Sequence, residues 1–217
     1  TAGGNITDSG VLAITGAATF TAANSQSVYL DNANTFLNTV TFSSGGTLAN
    51  VTVSDSNDFD FAALALSGNL ITTSMGGSIT DSGALAISGT SSFTASAGNK
   101  DIILDTTTNS FIGAVTLSTT GLTGNATVDG GTTQLDIAAS TVGGNLTLTS
   151  GHATGITDSG TITVGGNLIA TNDVSNGDIN MGSVAVDGTI ALTTSGSGGD
   201  VILVNNAGLD FATSNIG

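Results

Sequence analysis

The five residues Ile-Thr-Asp-Ser-Gly occur three times in this chain, at 6–10, 79–83 and 156–160. A second marker, Phe59-Asp60-Phe61, returns at nearly the same period as Leu135-Asp136-Ile137 and Leu209-Asp210-Phe211. Between the markers, Leu12/Ile14 corresponds to Leu85/Ile87 and Ile162/Val164, and Val40/Phe42 to Val115/Leu117 and Ile190/Leu192. Self-similarity at a fixed period means one supersecondary unit that buries its apolar face only by stacking on its neighbours. Three such units, near 3–75, 76–152 and 153–217, make a single array over residues 1–217.

Within a unit the apolar residues come in short alternating runs, such as Val28-Tyr29-Leu30, Val51-Thr52-Val53 and Leu146-Thr147-Leu148, each bounded by Gly, Asn, Asp or Ser. Period-two alternation in runs of three to five residues reads as many short strands. Turns of two to five residues leave no room for crossover helices. The array is therefore all-β: either a thrice-repeated antiparallel sandwich or a parallel β-solenoid. Asp-Gly hairpin turns are scarce, with only Asp129-Gly130 and Asp187-Gly188. Corners rich in Gly, Asn and Asp suit a solenoid, because these residues tolerate left-handed backbone and can stack into hydrogen-bonded ladders. The expectation is a right-handed parallel β-helix with three strands per coil. Each unit then makes about four coils of about 18–19 residues, and eleven or so coils make a rod of about 50–55 Å.

Composition removes whole classes of function. The net charge of −15 comes from 16 Asp against a single Lys (Lys100), with no Arg. Nucleic-acid binding and docking to anionic membranes both need cations this chain lacks. No cysteine is present, so a disulfide framework, a thiol nucleophile and a structural zinc cluster are excluded. No apolar run reaches the ~20 residues of a membrane-spanning helix. Carbohydrate-active β-helices pair carboxylates with Arg or Lys and line a groove with aromatics. This chain has no Trp and one Tyr. Its Asp residues mostly recur with the repeat, as structural residues do, so no enzyme is expected.

Asp8, Asp81 and Asp158, each two residues before Gly10, Gly83 or Gly160, read as turn residues whose carboxylates accept a backbone N–H two residues on. Calcium is the only cofactor with a sequence case: Asp55, Asn57, Asp58 and Asp60 supply hard oxygens within six residues. His152 has no partner imidazole and reads as a turn residue, while Lys100 is expected beside Asp101 or Asp105. Thr-x-Thr pairs at 39–41, 147–149 and 161–163 come at irregular intervals, which argues against a flat lattice-matching face. Asn-x-Thr sequons at Asn5, Asn50, Asn125 and Asn145 read as a product of composition.

Gly-Gly-Asn-Leu at 143–146, the Ile-Thr-Asp-Ser-Gly segment with its following alternation at 156–165, Phe-Thr-Ala at 93–95 and the stretch from Leu104 to Leu117 together resemble bacterial filamentous-haemagglutinin-type repeats. That resemblance implies a right-handed parallel β-helix within a large secreted exoprotein or adhesin, at the bacterial cell surface or in an extracellular filament or biofilm. The expected function is a structural and adhesive shaft; the alternative is a carbohydrate-binding or carbohydrate-acting β-helix. Expected partners are further repeats or other copies joined end to end, with glycans or proteins of host or neighbouring cells. The chain closes at 209–217 like 135–143, without the strand that follows there, and opens at 1–6 like 74–79. It therefore reads as a piece of something longer.

Overall fold

A computed structural model describes residues 1–217. It contains strands and turns and no helix, and every strand pairing is parallel. The strands form three sheets that wrap one apolar interior: a wide sheet of 13 strands, a sheet of nine and a sheet of three. Each strand hydrogen-bonds to one a coil earlier and one a coil later. The nine-stranded sheet runs from Ala18–Ala22 to Ile190–Ser195 and takes one strand per coil, so the molecule is a parallel β-solenoid of about nine turns. At roughly 4.8 Å per coil, nine coils rise about 40 Å.

This corrects the expected coil. Ladder steps on the wide sheet run Ile6 to Val28 to Val51 to Leu70 to Ser91 to Val115. Corner residues one coil apart differ in number by as little as 19, from Asn50 to Asn69, and by as much as 24, from Asp101 to Asn125. Most coils are thus longer than the expected length. The extra residues lie in loops that close on inward-facing polar side chains. Thr119 donates its hydroxyl to the Gly124 carbonyl (2.6 Å), Thr194 to Gly199 (3.0 Å) and Ser74 to Gly77 (2.8 Å). A buried hydroxyl offsets its desolvation by satisfying a loop carbonyl, so these strands extend past their last apolar residue.

The sequence repeat and the coil are out of step. Three ladder steps from Ile6 end at Leu70, well short of Ile79. Three steps from Ile79 end at Leu146, again well short of Ile156. A unit is thus three coils and a little under half of another, not four. Ile79 pairs with Phe59 and Ile102, and Ile156 with Leu135 and Ile179; no copy of the motif stacks on another copy.

Alternation supplies the core. In Val51–Asp55, Leu85–Ile87 and Leu146–Ser150 the first, third and fifth positions face inward and the others outward. The inward residues merge into one continuous cluster of 43 buried apolar side chains. In the first coils Phe20, Phe36, Phe42, Phe59 and Phe61 meet as a chain of ring contacts 4.7–6.3 Å apart.

Corner ladders hold the register. Asn125 Oδ1 accepts the Asn145 N–H, Asn145 Oδ1 the Asn167 N–H and Asn167 Oδ1 the Thr189 N–H, each at 2.8 Å. The line begins earlier in the chain, through Asp58, Ser78 and Asp101. A second line runs Asn5, Ser27, Asn50, Asn69, Thr90. These ladders join a side-chain acceptor to the backbone of the next coil, so they satisfy N–H groups that the turn would leave unpaired.

Candidate functional site

The Ile-Thr-Asp-Ser-Gly carboxylates do not make the expected local turns. Asp8 Oδ2 accepts from the Asn34 side chain at 2.7 Å and from the Asn32 N–H at 3.4 Å, both one coil later. Asp81 Oδ2 accepts from Asn109 Nδ2 at 2.7 Å. Asn34 and Asn109 are buried and hold the same place in successive units. Each turns its Oδ1 to a backbone N–H of the coil below, Leu12 at 2.8 Å and Leu85 at 2.7 Å. Two carboxylate–amide clamps therefore tie adjacent coils. In the third unit Asp158 instead accepts the Gly182 N–H at 2.6 Å. Gly10 lies in open space, whereas a side chain at Gly83 or Gly160 would collide with the backbone of Ala63 or Ala139 one coil earlier. Those two glycines serve coil-to-coil approach. Sequence reasoning missed Asn34 and Asn109, although their shared place in the repeat was a usable signal.

Two buried carboxyls are perturbed. Burial pushes Asp55 and Asp81 up to about 6, against the hydrogen bonds each accepts. Each keeps one buried oxygen without a partner. At Asp8 burial also acts upward, but the bonds from Asn34 and Asn32 outweigh it and hold the carboxyl below its usual value. Asp129 is raised by burial and by the neighbouring charges of Asp173 and Asp105.

The four calcium candidates do not converge. Asp55 points inward, its Oδ1 accepting from the Phe36 and Ser56 N–H groups at 3.1 and 2.8 Å. Asn57 donates to the Phe36 carbonyl (2.9 Å), and Asp58 accepts the Ser78 N–H (2.7 Å) as a ladder member. Asp60 lies on the outer surface of the nine-stranded sheet, receiving hydroxyls from Thr39, Thr80 and Ser82. No three carboxylate or imidazole groups gather as a metal site. Lys100 stands 4.0 Å from Asp58 rather than beside Asp101 or Asp105. Asp58 occupies the same corner two coils earlier, on the ladder that passes through Ser78 to Asp101. At that exposure the pair contributes little.

One open depression, of about 290 Å³, is lined by Ile112, Thr132, Thr133, Gln134 and His152. Its Gln134 and His152 are engaged by hydroxyls beside the depression: Gln134 Nε2 donates to Thr157 (3.0 Å), Gln134 Oε1 accepts from Thr154 (3.1 Å), and His152 Nδ1 lies 2.7 Å from the Thr154 hydroxyl. A single imidazole with no carboxylate in the lining has no partner for proton transfer.

On the wide sheet the outward residues of successive strands lie in register. One axial row is Ser54, Thr73, Thr94, Ser118, Thr141, Thr163, Ala185, and beside it runs Thr52, Ile71, Ser92, Thr116. Four successive coils thus each present a pair, a regularity hidden in the sequence because the pairs mix Thr, Ser and Ile.

A family described as repeats of unknown function (DUF5649) matches residues 1–43, 48–118 and 123–175, well over half of the length. The chain belongs to this family. Within the DUF5649 match, the second and third segments begin at 48 and 123, and the first and second end at 43 and 118. Both steps equal the period of the sequence repeat, so the DUF5649 unit is that repeat and not the coil. No curated protein and no solved structure matches the chain.

Proposed function

We propose that this DUF5649 solenoid is a rigid shaft segment of a secreted bacterial surface filament or large adhesin of filamentous-haemagglutinin type, acting outside the cell. The observation that carries this reading is the unbroken parallel ladder: every coil is joined to the next through sheet pairing, corner acceptors and a continuous core, and no deep cleft interrupts it. Such a column resists bending and offers few flexible loops to proteases. Binding to glycans or proteins of host or neighbouring cells would then fall to faces and corners, with end-to-end continuation or stacking extending the shaft. The carbohydrate-acting alternative is disfavoured by the absence of an aromatic platform along the faces and of a carboxylate pair in the depression.

Two measurements test the reading. Small-angle X-ray scattering should give a rod of constant cross-section that survives protease at temperatures below its melt. Antibodies raised against the segment should label intact cells of the source bacterium. A globular or flexible scattering profile would remove the shaft, and labelling only after permeabilisation would remove the surface location.

A further inference from the structure

The acidic residues are unevenly distributed around the solenoid. Asp58 and Asp101 occupy a corner ladder, and Asp178 and Asp200 form another corner pair. Asp60 and Asp129 lie on strands of the nine-stranded sheet. The wide sheet carries a neutral strip. From Val51–Asp55 through Leu70–Ser74, Ser91–Gly98, Val115–Thr120, Ser140–Val142 and Ile162–Val164, no outward residue is charged; the one carboxyl on these strands, Asp55, is buried inside. Asp31, exposed on the adjoining strand Val28–Phe36, borders the strip at its start, and Asp136 and Asp158, on Leu135–Ile137 and Ile156–Asp158, border it where the sheet divides after Val115–Thr120.

This face also has unused bonding capacity. None of the hydroxyls in the two rows, from Thr52 and Ser54 through Thr94 to Thr163, is hydrogen-bonded within the chain; on the nine-stranded sheet Thr127, Thr147, Thr149 and Thr171 are free as well, while Asp60 holds Thr39, Thr80 and Ser82. Ile71, 47% exposed, adds an apolar contact within the paired rows.

We infer that the wide sheet is a lateral docking face for a second copy of this chain, the two solenoids lying side by side with these rows opposed. The inference rests on the shaft reading and extends it from single rods to bundles. Charge selects the occupant. Two copies each carrying −15 repel wherever carboxylates meet, and this broad face is where an identical rod approaches with none between the surfaces. Facing the same patch on both copies gives a closed, isologous contact in which small hydroxylated side chains interdigitate.

Area sets the strength. Four of the strands present about 17 Å of width and the three-residue strands beyond them about 10 Å, so over a rise of about 29 Å each copy contributes roughly 400 Å². The total of about 800 Å² lies below the range of stable specific interfaces, which makes a single pair a weak contact. One segment of this length should pair weakly, and arrays of such faces in longer shafts should bundle strongly by multivalency. Salt should strengthen the contact, because the bordering carboxylates flank it within about a Debye length.

The test is sedimentation and X-ray scattering on the whole chain across concentration and ionic strength. The parent should pass from single to paired rods as both rise. Thr73→Asp and Thr94→Asp, which oppose carboxylates across the contact, should weaken pairing by more than about tenfold. Thr149→Asp, the same change on the outer surface of the nine-stranded sheet, should leave it within about twofold. Circular dichroism and unchanged rod dimensions verify that each variant is folded. Single rods at every concentration and salt, or equal weakening by Thr149→Asp, would overturn the docking face. A single rod of constant cross-section would still support the shaft, so the two readings fail separately.

Discussion

Acid should stabilise this fold, and two buried carboxyls set the window. Asp55 and Asp81 are 0% and 8% exposed, and burial raises each from 3.8 to about 6. Each binds its proton more tightly in the folded chain than in the unfolded one. The stabilisation is therefore fully present below about pH 4, declines as pH rises from 3.8 towards 6, and is gone above it. A difference of that size is worth about 3 kcal/mol per group at full effect. Local relaxation, which keeps the effective dielectric at ~20 even at buried sites, reduces that to on the order of 1–2 kcal/mol each, so about 2–4 kcal/mol for both. Asp8 acts with the opposite sign, since its lowered value adds stability above pH 3.8 and loses it below. The assay is urea unfolding between pH 4 and 7.5 at constant ionic strength, for the parent and for Asp55→Asn/Asp81→Asn. Asn at 55 keeps an oxygen for the Phe36 and Ser56 N–H groups but does not titrate. The variant retains the general relief of self-repulsion in acid, so the difference between the two slopes isolates the buried pair. Identical slopes from pH 4 to 6 would refute the reasoning.

Other perturbations have equally definite outcomes. Ile87→Asp or Leu117→Asp, at positions 1% and 0% exposed, puts an unpaired charge into the stack and should cost more than about 3 kcal/mol by urea titration. Asn109→Ala removes the acceptor for the Leu85 N–H and the donor to Asp81, and should cost about 2–3 kcal/mol. It should also raise the Asp81 pKa further, which NMR titration of the carboxyl would register. Raising ionic strength or adding a divalent cation should increase the melting temperature by screening −15 against one cation. A melt indifferent to both would mean that the carboxylates are too far apart to repel.

Alternation made the strands legible. Val51–Asp55, Leu85–Ile87 and Leu146–Ser150 carry the inward and outward pattern that the sequence displays, because a strand's side chains have period two and a helix's do not. Corner Asn residues were legible as ladders for the same local reason. The sequons find their explanation there as well. At Asn5, Asn50, Asn125 and Asn145 the Asn is the corner acceptor, the next residue points inward, and the Thr points out. Coil length was not legible. Loops such as those closed by Thr119 and Thr194 end on polar residues that look like surface residues but lie inside, so strand spacing alone undercounted each turn. Nor could the sequence reveal that Asp81 reaches Asn109, since that contact depends on the coil.

The mismatch between repeat and coil decides what surface the repeats can build. If one unit were a whole number of turns, each motif would stack on its own copy, and any charge in the unit would become an axial stripe. With nearly half a coil left over, equivalent residues move to different faces. Ser54 on the wide sheet is equivalent to Asp129 on the nine-stranded sheet, and Thr73 is equivalent to Thr149. A carboxylate that recurs along the chain is therefore turned away from its predecessor, so equivalent carboxylates do not line up as one axial stripe. The uncharged strip of the wide sheet is assembled from repeat positions that are not equivalent to one another. Selection on the repeat alone could not keep such a strip free of charge, because the same repeat position that is Ser54 there is an Asp elsewhere. Its neutrality over six consecutive coils is a property of the stacked coils, and that is the level at which lateral contact between shafts would act.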